Sequence, residues 1–118
     1  QMDSTFRMEI YRKYKYENVA IYAKKHTEEE DVNEHITGKI DWMKFELEDF
    51  GVNIIEFVDS HIEGDYKEIN RLIELVKQGE IKAILVWDFD DIEVEIIKRL
   101  VEECTKKDVY INGFLTVI

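Results

Sequence analysis

Hydrophobic positions change their spacing several times along this chain, and each change marks a boundary. In residues 1–17, Phe6, Met8, Ile10, Tyr14 and Tyr16 fall on alternate positions, which favours an extended strand, although a helix fits so short a stretch nearly as well. Residues 19–23 are a short apolar run of strand type. After a polar turn, Ile36, Ile40, Met43, Leu47 and Phe50 recur at steps of four and three, the stripe of one helix face, and Gly51 follows as a stop. Residues 52–58 predict a second strand and residues 59–65 a polar loop. Ile69, Leu72, Ile73 and Val76 mark a second helix, with Gly79 near its end. Residues 83–87 have no polar interruption and read as a strand covered on both faces, which a parallel sheet explains. Ile92, Ile96, Ile97, Leu100, Val101 and Cys104 form a third helical stripe, with Cys104 on its core side, and residues 109–118 predict a last strand loosened at Gly113.

The order β-α-β-α-β-α-β, with helices long enough for right-handed crossovers, implies an α/β fold: a three-layer sandwich around a mainly parallel sheet. Residues 1–17 are an N-terminal arm or extra strand and residues 18–118 the α/β domain; no repeat and no Pro interrupts them. In such sheets ligands sit outside the carboxyl ends of the strands. Those ends supply Lys24, Lys25 and His26, then Asp59, Ser60 and His61, then Asp88, Asp90 and Asp91.

Composition narrows the field. A chain of 118 residues with 45% hydrophobic positions suits one globular core, and its 16 Lys and Arg against 27 Asp and Glu leave a net charge of −11. A polyanion repels such a surface, so autonomous duplex DNA binding is not expected. The basic residues Arg7, Arg12, Lys13 and Lys15 interleave with Tyr11, Tyr14 and Tyr16, a pattern able to stack on single-stranded nucleic acid; a plain edge strand or docking arm is the preferred reading. One Cys makes no internal disulfide and points to a reducing compartment, and no run approaches the roughly 20 apolar residues of a membrane span, so a cytoplasmic location is expected.

Three strand-end segments, in order, resemble the catalytic domain of resolvase/invertase-type serine recombinases across roughly residues 18–118. Tyr22-Ala23-Lys24-Lys25-His26-Thr27 is similar to the family's Tyr-Ala-Arg-x-Ser-Thr. Residues 53–64 resemble its second strand and Asp-x-Gly-x-Ser-Gly loop. Residues 78–92 resemble its Gly-x-Ile-Asp-x-Val-Leu-Val-Trp-x-Leu-Asp-Arg-Leu stretch. The resemblance implies that fold, bacterial or phage ancestry and a link to site-specific DNA recombination. It also implies a chemistry in which a serine hydroxyl attacks a DNA phosphate while arginines stabilise the charge. On the positions that carry it, His26 stands for the serine and Lys24 for the arginine two before it. Asp91 and Val94 stand for the paired arginines and Glu63 for the serine of Ser-Gly, whereas Tyr22, Asp59 and Asp90 are kept; Arg71 is the one arginine near the shortened loop, and it falls in a helix.

The expectation is a catalytically inactive recombinase-like domain, without a cofactor, acting by protein–protein interaction or self-association. Its partner would be regulatory or DNA-processing. Among the aromatics Trp42, Phe45 and Phe89, Trp42 lies off the helix stripe, and it and the run Glu28, Glu29 and Glu30 are the candidate contact residues. Two alternatives use the strand ends as an enzyme. His26 could accept a phosphoryl group, although the sequence identifies no orienting base; Asp59, His61, Asp88 and Asp90 could hold a divalent cation for phosphoryl chemistry. Against the cation, Asp90 or Asp91 reads as a cap of the third helix, and Thr27 with Glu30 as a capping box.

Overall fold

A computed structural model describes residues 8–26 and 34–116. Four strands, β1 (Asn18–Lys24), β2 (Asn53–Asp59), β3 (Ala83–Val86) and β4 (Tyr110–Gly113), form one sheet in the order β2-β1-β3-β4. All three pairings are parallel. Val19 lies beside Ile54 and Ala83, Tyr22 beside Phe57 and Val86, and Lys24 beside Asp59. The helices are α1 (Glu34–Glu48), α2 (Lys67–Lys77) and α3 (Val94–Lys107).

The alternation of β1 sorts the core into two layers. Ala20 and Tyr22, with Ile84 and Val86 of β3, pack against Ile69, Leu72 and Val76 of α2 and Leu100 and Cys104 of α3. Val19, Ile21 and Ala23, with Ala83 and Leu85, pack against Ile36, Ile40, Met43 and Leu47 of α1. The central strands are therefore apolar through Val19–Ala23 and Ala83–Val86 because both faces are covered, which is the expected three-layer sandwich. Cys104 is buried at 1% exposure, and burial pushes its thiol up to about 12.

Two expectations about the ends of the chain are corrected. Glu9–Tyr14 is a 3-10 helix and not a strand. Its inward residues follow a step of three: Met8 and Tyr11 are buried and Tyr14 packs at the margin, while the alternate positions Ile10 and Tyr16 stand in solvent. The Tyr11 hydroxyl donates to the Ile84 carbonyl oxygen at 2.6 Å, and its ring meets Tyr110 edge-on. At the other end β4 stops at Gly113, because the chain folds back so tightly that a Cβ there would lie 1.7 Å from the Thr116 carbonyl oxygen. Among the described residues no helix is long and apolar enough to cross a membrane.

Candidate functional site at the strand ends

The inner part of the strand-end region is a closed polar network. Asp59, 2% exposed at the end of β2, accepts three hydrogen bonds. Its Oδ1 takes the Glu68 amide at 2.7 Å, and its Oδ2 takes the Ile69 amide at 3.1 Å and the Tyr22 hydroxyl at 2.7 Å. Tyr66, the residue before α2, offers no capping side chain, so Asp59 satisfies the orphan first-turn amides from the neighbouring strand. Burial, then the bond to Asp59, raises the Tyr22 phenol far above its ordinary value.

Lys24, 8% exposed, holds the loop after β2. Its ammonium donates to the carbonyl oxygens of Ser60 at 2.7 Å and Asp65 at 2.8 Å and lies 4.6 Å from the centroid of the Tyr66 ring. Asp65 closes the loop from below by accepting the Ser60 hydroxyl at 2.5 Å, which holds its carboxyl below the usual carboxylate range. A cation two residues before His26 is thus committed to backbone carbonyls. His61 and Glu63 ride on this loop, His61 half-buried and Glu63 exposed.

The outer part joins residues 65 positions apart in sequence. His26 Nε2 lies 2.8 Å from Asp91 Oδ1, with the imidazole 53% exposed and the carboxylate 14%. Asp91 Oδ2 is buried and accepts no hydrogen bond among the described residues. Burial raises the Asp91 carboxyl above its ordinary value, against the pull of His26. This pair supplies the orienting group that the sequence did not identify for His26. The parallel pairing of β1 with β3 brings the two strand ends together.

The capping expectation is corrected. Asp88, not Asp90 or Asp91, does the capping, and it caps the short 3-10 turn Phe89–Asp91 by accepting the Asp90 amide at 3.0 Å; Glu93 precedes α3 without a side-chain cap. Asp88 also accepts the Thr116 hydroxyl at 3.1 Å. Asp90 is exposed. The proposed cation set Asp59, His61, Asp88 and Asp90 is not brought together: Asp59 is saturated by α2, and among the described residues no three His, Cys, Asp or Glu side chains could hold a metal ion. Arg71 does not reach the strand ends either; it pairs with Glu68 at 2.8 Å and stacks on Phe57.

The basic N-terminal stretch makes no stacking platform over residues 8–16. Tyr11 is fully buried, Arg12 is bound to Glu9 at 3.1 Å and covers the Phe50 ring, and of the three tyrosines only Tyr16 is well exposed. Trp42 is exposed as expected, and Phe45 stands beside it with ring centroids 5.9 Å apart, whereas Phe89 is buried. Glu28, Glu29 and Glu30, and the Thr27–Glu30 capping box, lie outside the described residues.

No protein-family model matches the chain, and no curated protein is similar to it in sequence. Solved structures are. A resolvase family site-specific recombinase from Streptococcus pneumoniae superposes with a TM-score of 0.69 at 16% identity, over 86% of this chain and 74% of that one. The C-terminal catalytic domain of ISC1926 TnpA, an IS607-like serine recombinase, gives 0.65 at 17% identity over 82% and 67%. The first ORF of transposon ISC1904 from Sulfolobus solfataricus P2 gives 0.61 at 14% over 79% and 64%. The fold is that of resolvase-type serine recombinase catalytic domains.

Proposed function

We propose that this chain is a recombinase-fold domain that does not cut DNA and works through contact with another protein in a reducing, cytoplasmic setting. The observation that carries the reading is the His26–Asp91 pair. Where the resemblance places a serine nucleophile and an arginine, the chain sets an imidazole bound to a carboxylate. A carboxylate ~5 Å from a phosphate at an effective dielectric of 20 repels it by roughly 3 kcal/mol, so replacing arginine by aspartate removes an attraction and adds a repulsion of that order. Asp88, Asp90 and Glu93 add negative charge along the same rim. Of the cations near the strand ends, Lys24 is held on loop carbonyls and Arg71 on Glu68, which leaves Lys39 acting on Asp91 as a partial offset.

The same pair favours a second reading. An imidazole held by a carboxylate is the arrangement of a general base, and His26 faces solvent at the site edge. One experiment addresses both. Incubated with supercoiled plasmid, with and without magnesium, the wild-type chain is expected to leave the plasmid intact and to form no covalent DNA adduct. Nicking that disappears in His26→Ala would replace the non-cutting reading with the enzymatic one.

A further inference from the structure

We infer that the solvent side of α1 is a docking groove for a basic segment of another protein that carries one apolar anchor residue; the inference rests on the protein-contact reading above and names its partner chemistry. Trp42 and Phe45, 54% and 61% exposed, meet edge-on and line a groove of about 360 Å³ with Gly38 and Asp41. Two aromatic rings left in water at one spot mark a contact surface.

Gly38 gives an independent reason. It lies inside α1, where glycine is among the poorest helix formers. Yet a Cβ added there meets no heavy atom of the described residues within 4 Å. Among the described residues no neighbour requires the missing methyl. An occupant of the groove does, because Gly38 is part of its lining.

Charge selects the occupant. Phe45 also lines an adjoining notch of about 190 Å³ that contains Glu46 and Asp49. Neither carboxylate has an ion pair among the described residues; Arg12, which lines the same notch, is paired there with Glu9, and Lys44 is paired with Glu56 at 2.9 Å, so the notch keeps an excess of carboxylate. These carboxylates crowd the C-terminal end of α1, the negative end of the helix dipole. The last turns of α2 and α3 carry Lys77 and Lys106 with Lys107, but that of α1 has no basic residue. A Lys or Arg from a partner relieves that potential. A second copy of a chain at −11 does not, and neither does a nucleic acid. Asp49 lies just past the last residue of α1, seven positions after Trp42 and ~10 Å further along the helix direction. The basic residue should therefore lie about three positions from the anchor in an extended partner, or about seven in a helical one.

The test is a selection of random dodecapeptides on the immobilised full chain, counter-selected on Trp42→Ser. Enriched peptides are expected to pair an aromatic or aliphatic anchor with Lys or Arg at one of those spacings. Their affinity should fall at least tenfold in Trp42→Ala, about threefold in each of Glu46→Gln and Asp49→Asn, and further as salt rises. Gly38→Leu, which fills the groove, should weaken binding at least tenfold while melting no lower than wild type, a combination that a purely structural glycine would not produce. Failure to enrich, enrichment of peptides without basic residues, or indifference to Trp42→Ala overturns the inference. So does sedimentation showing a dimer that Trp42→Ala dissociates, which assigns the groove to a second copy. A tenfold gain in peptide binding on joint Phe6→Ser and Arg7→Ser substitution assigns it to the chain's own beginning and has the same consequence. A failed selection beside an uncut plasmid removes only this groove and leaves the non-cutting reading standing.

Discussion

Asp59 and Asp91 both follow the carboxyl ends of parallel strands, one closing β2 and the other in the turn after β3, and the chain treats them in opposite ways. Asp59 is buried with three donors on its two oxygens. Asp91 shares one oxygen with a half-exposed imidazole and leaves the other buried without a partner. The first is part of the frame, since α2 begins on it. The second pays a desolvation penalty that no hydrogen bond on Oδ2 offsets. Of the polar positions kept in common with the recombinase pattern, Tyr22 and Asp59 hold the fold, whereas Asp90 is exposed. Of those that differ, Lys24 is also part of the frame, and His26 and Asp91 meet where the resemblance implies chemistry.

The contrast breaks most severely at Asp59. Asp59→Ala leaves two helix amides and the Tyr22 hydroxyl without their acceptor and should cost about 3–5 kcal/mol in urea unfolding. Asp59→Asn keeps one acceptor oxygen and should lose about half as much. A loss below about 1 kcal/mol for the alanine variant would mean that water substitutes for the carboxylate and that Asp59 is no frame residue. Next comes Lys24→Met, which keeps most of the aliphatic stem but strips the ammonium from the carbonyls of Ser60 and Asp65. About 2–3 kcal/mol is expected, together with faster amide exchange in residues 60–65 relative to the rest of the sheet.

The frame was legible in the sequence because periodicity reports burial. The unbroken apolar run at residues 83–87 identified a strand covered on both faces, and the steps of four and three from Ile36 to Phe50 gave α1 its core stripe. The same logic failed at residues 9–14, where Met8, Tyr11 and Tyr14 face inward at a step of three that alternation of Phe6, Met8 and Ile10 concealed. It also could not show that Asp88 would take the capping role expected of Asp90 or Asp91, since all three are carboxylates within four positions and only the backbone path selects among them. The His26–Asp91 contact lay beyond sequence reasoning for a similar reason. It joins loops after two different strands, and no local spacing encodes their distance. Trp42 was readable as exposed from its place off the stripe, whereas the significance of Gly38 required knowing that a Cβ there would meet no side chain among the described residues.

Asp91 predicts a smaller effect of the opposite sign. Asp91→Asn keeps an acceptor for His26 and removes a carboxylate that the fold desolvates, so the variant should be as stable as wild type at pH 7 or up to about 1 kcal/mol more stable. The pH dependence gives the sharper check. The folded chain holds the Asp91 proton more tightly than the unfolded chain, whose value is near 3.8, so wild-type stability is penalised above the raised folded pKa. The penalty fades as pH falls through that pKa and is absent below the unfolded value. The advantage of Asp91→Asn should shrink over the same window, and an advantage that instead grew on acidification would show that His26 dominates the pair.

The smallest effect is expected from His26→Ser, the substitution that restores the residue type the resemblance implies. The imidazole is half in water, and a solvent-exposed pair contributes about 0–1 kcal/mol, so unfolding should move little. Plasmid should also stay intact, because a hydroxyl alone has neither a base to take its proton nor cations to stabilise a pentacoordinate phosphate. Asp91 would still face the incoming phosphate, now without the imidazole that partly offsets its charge. Joining His26→Ser to Asp91→Arg exchanges that repulsion for an attraction of similar size, and the double variant should bind short duplex DNA more tightly than either single one at low salt. If His26→Ser alone nicked plasmid, the electronegative rim would not be what keeps this fold from cutting, and the cause would have to lie in how the chain meets DNA.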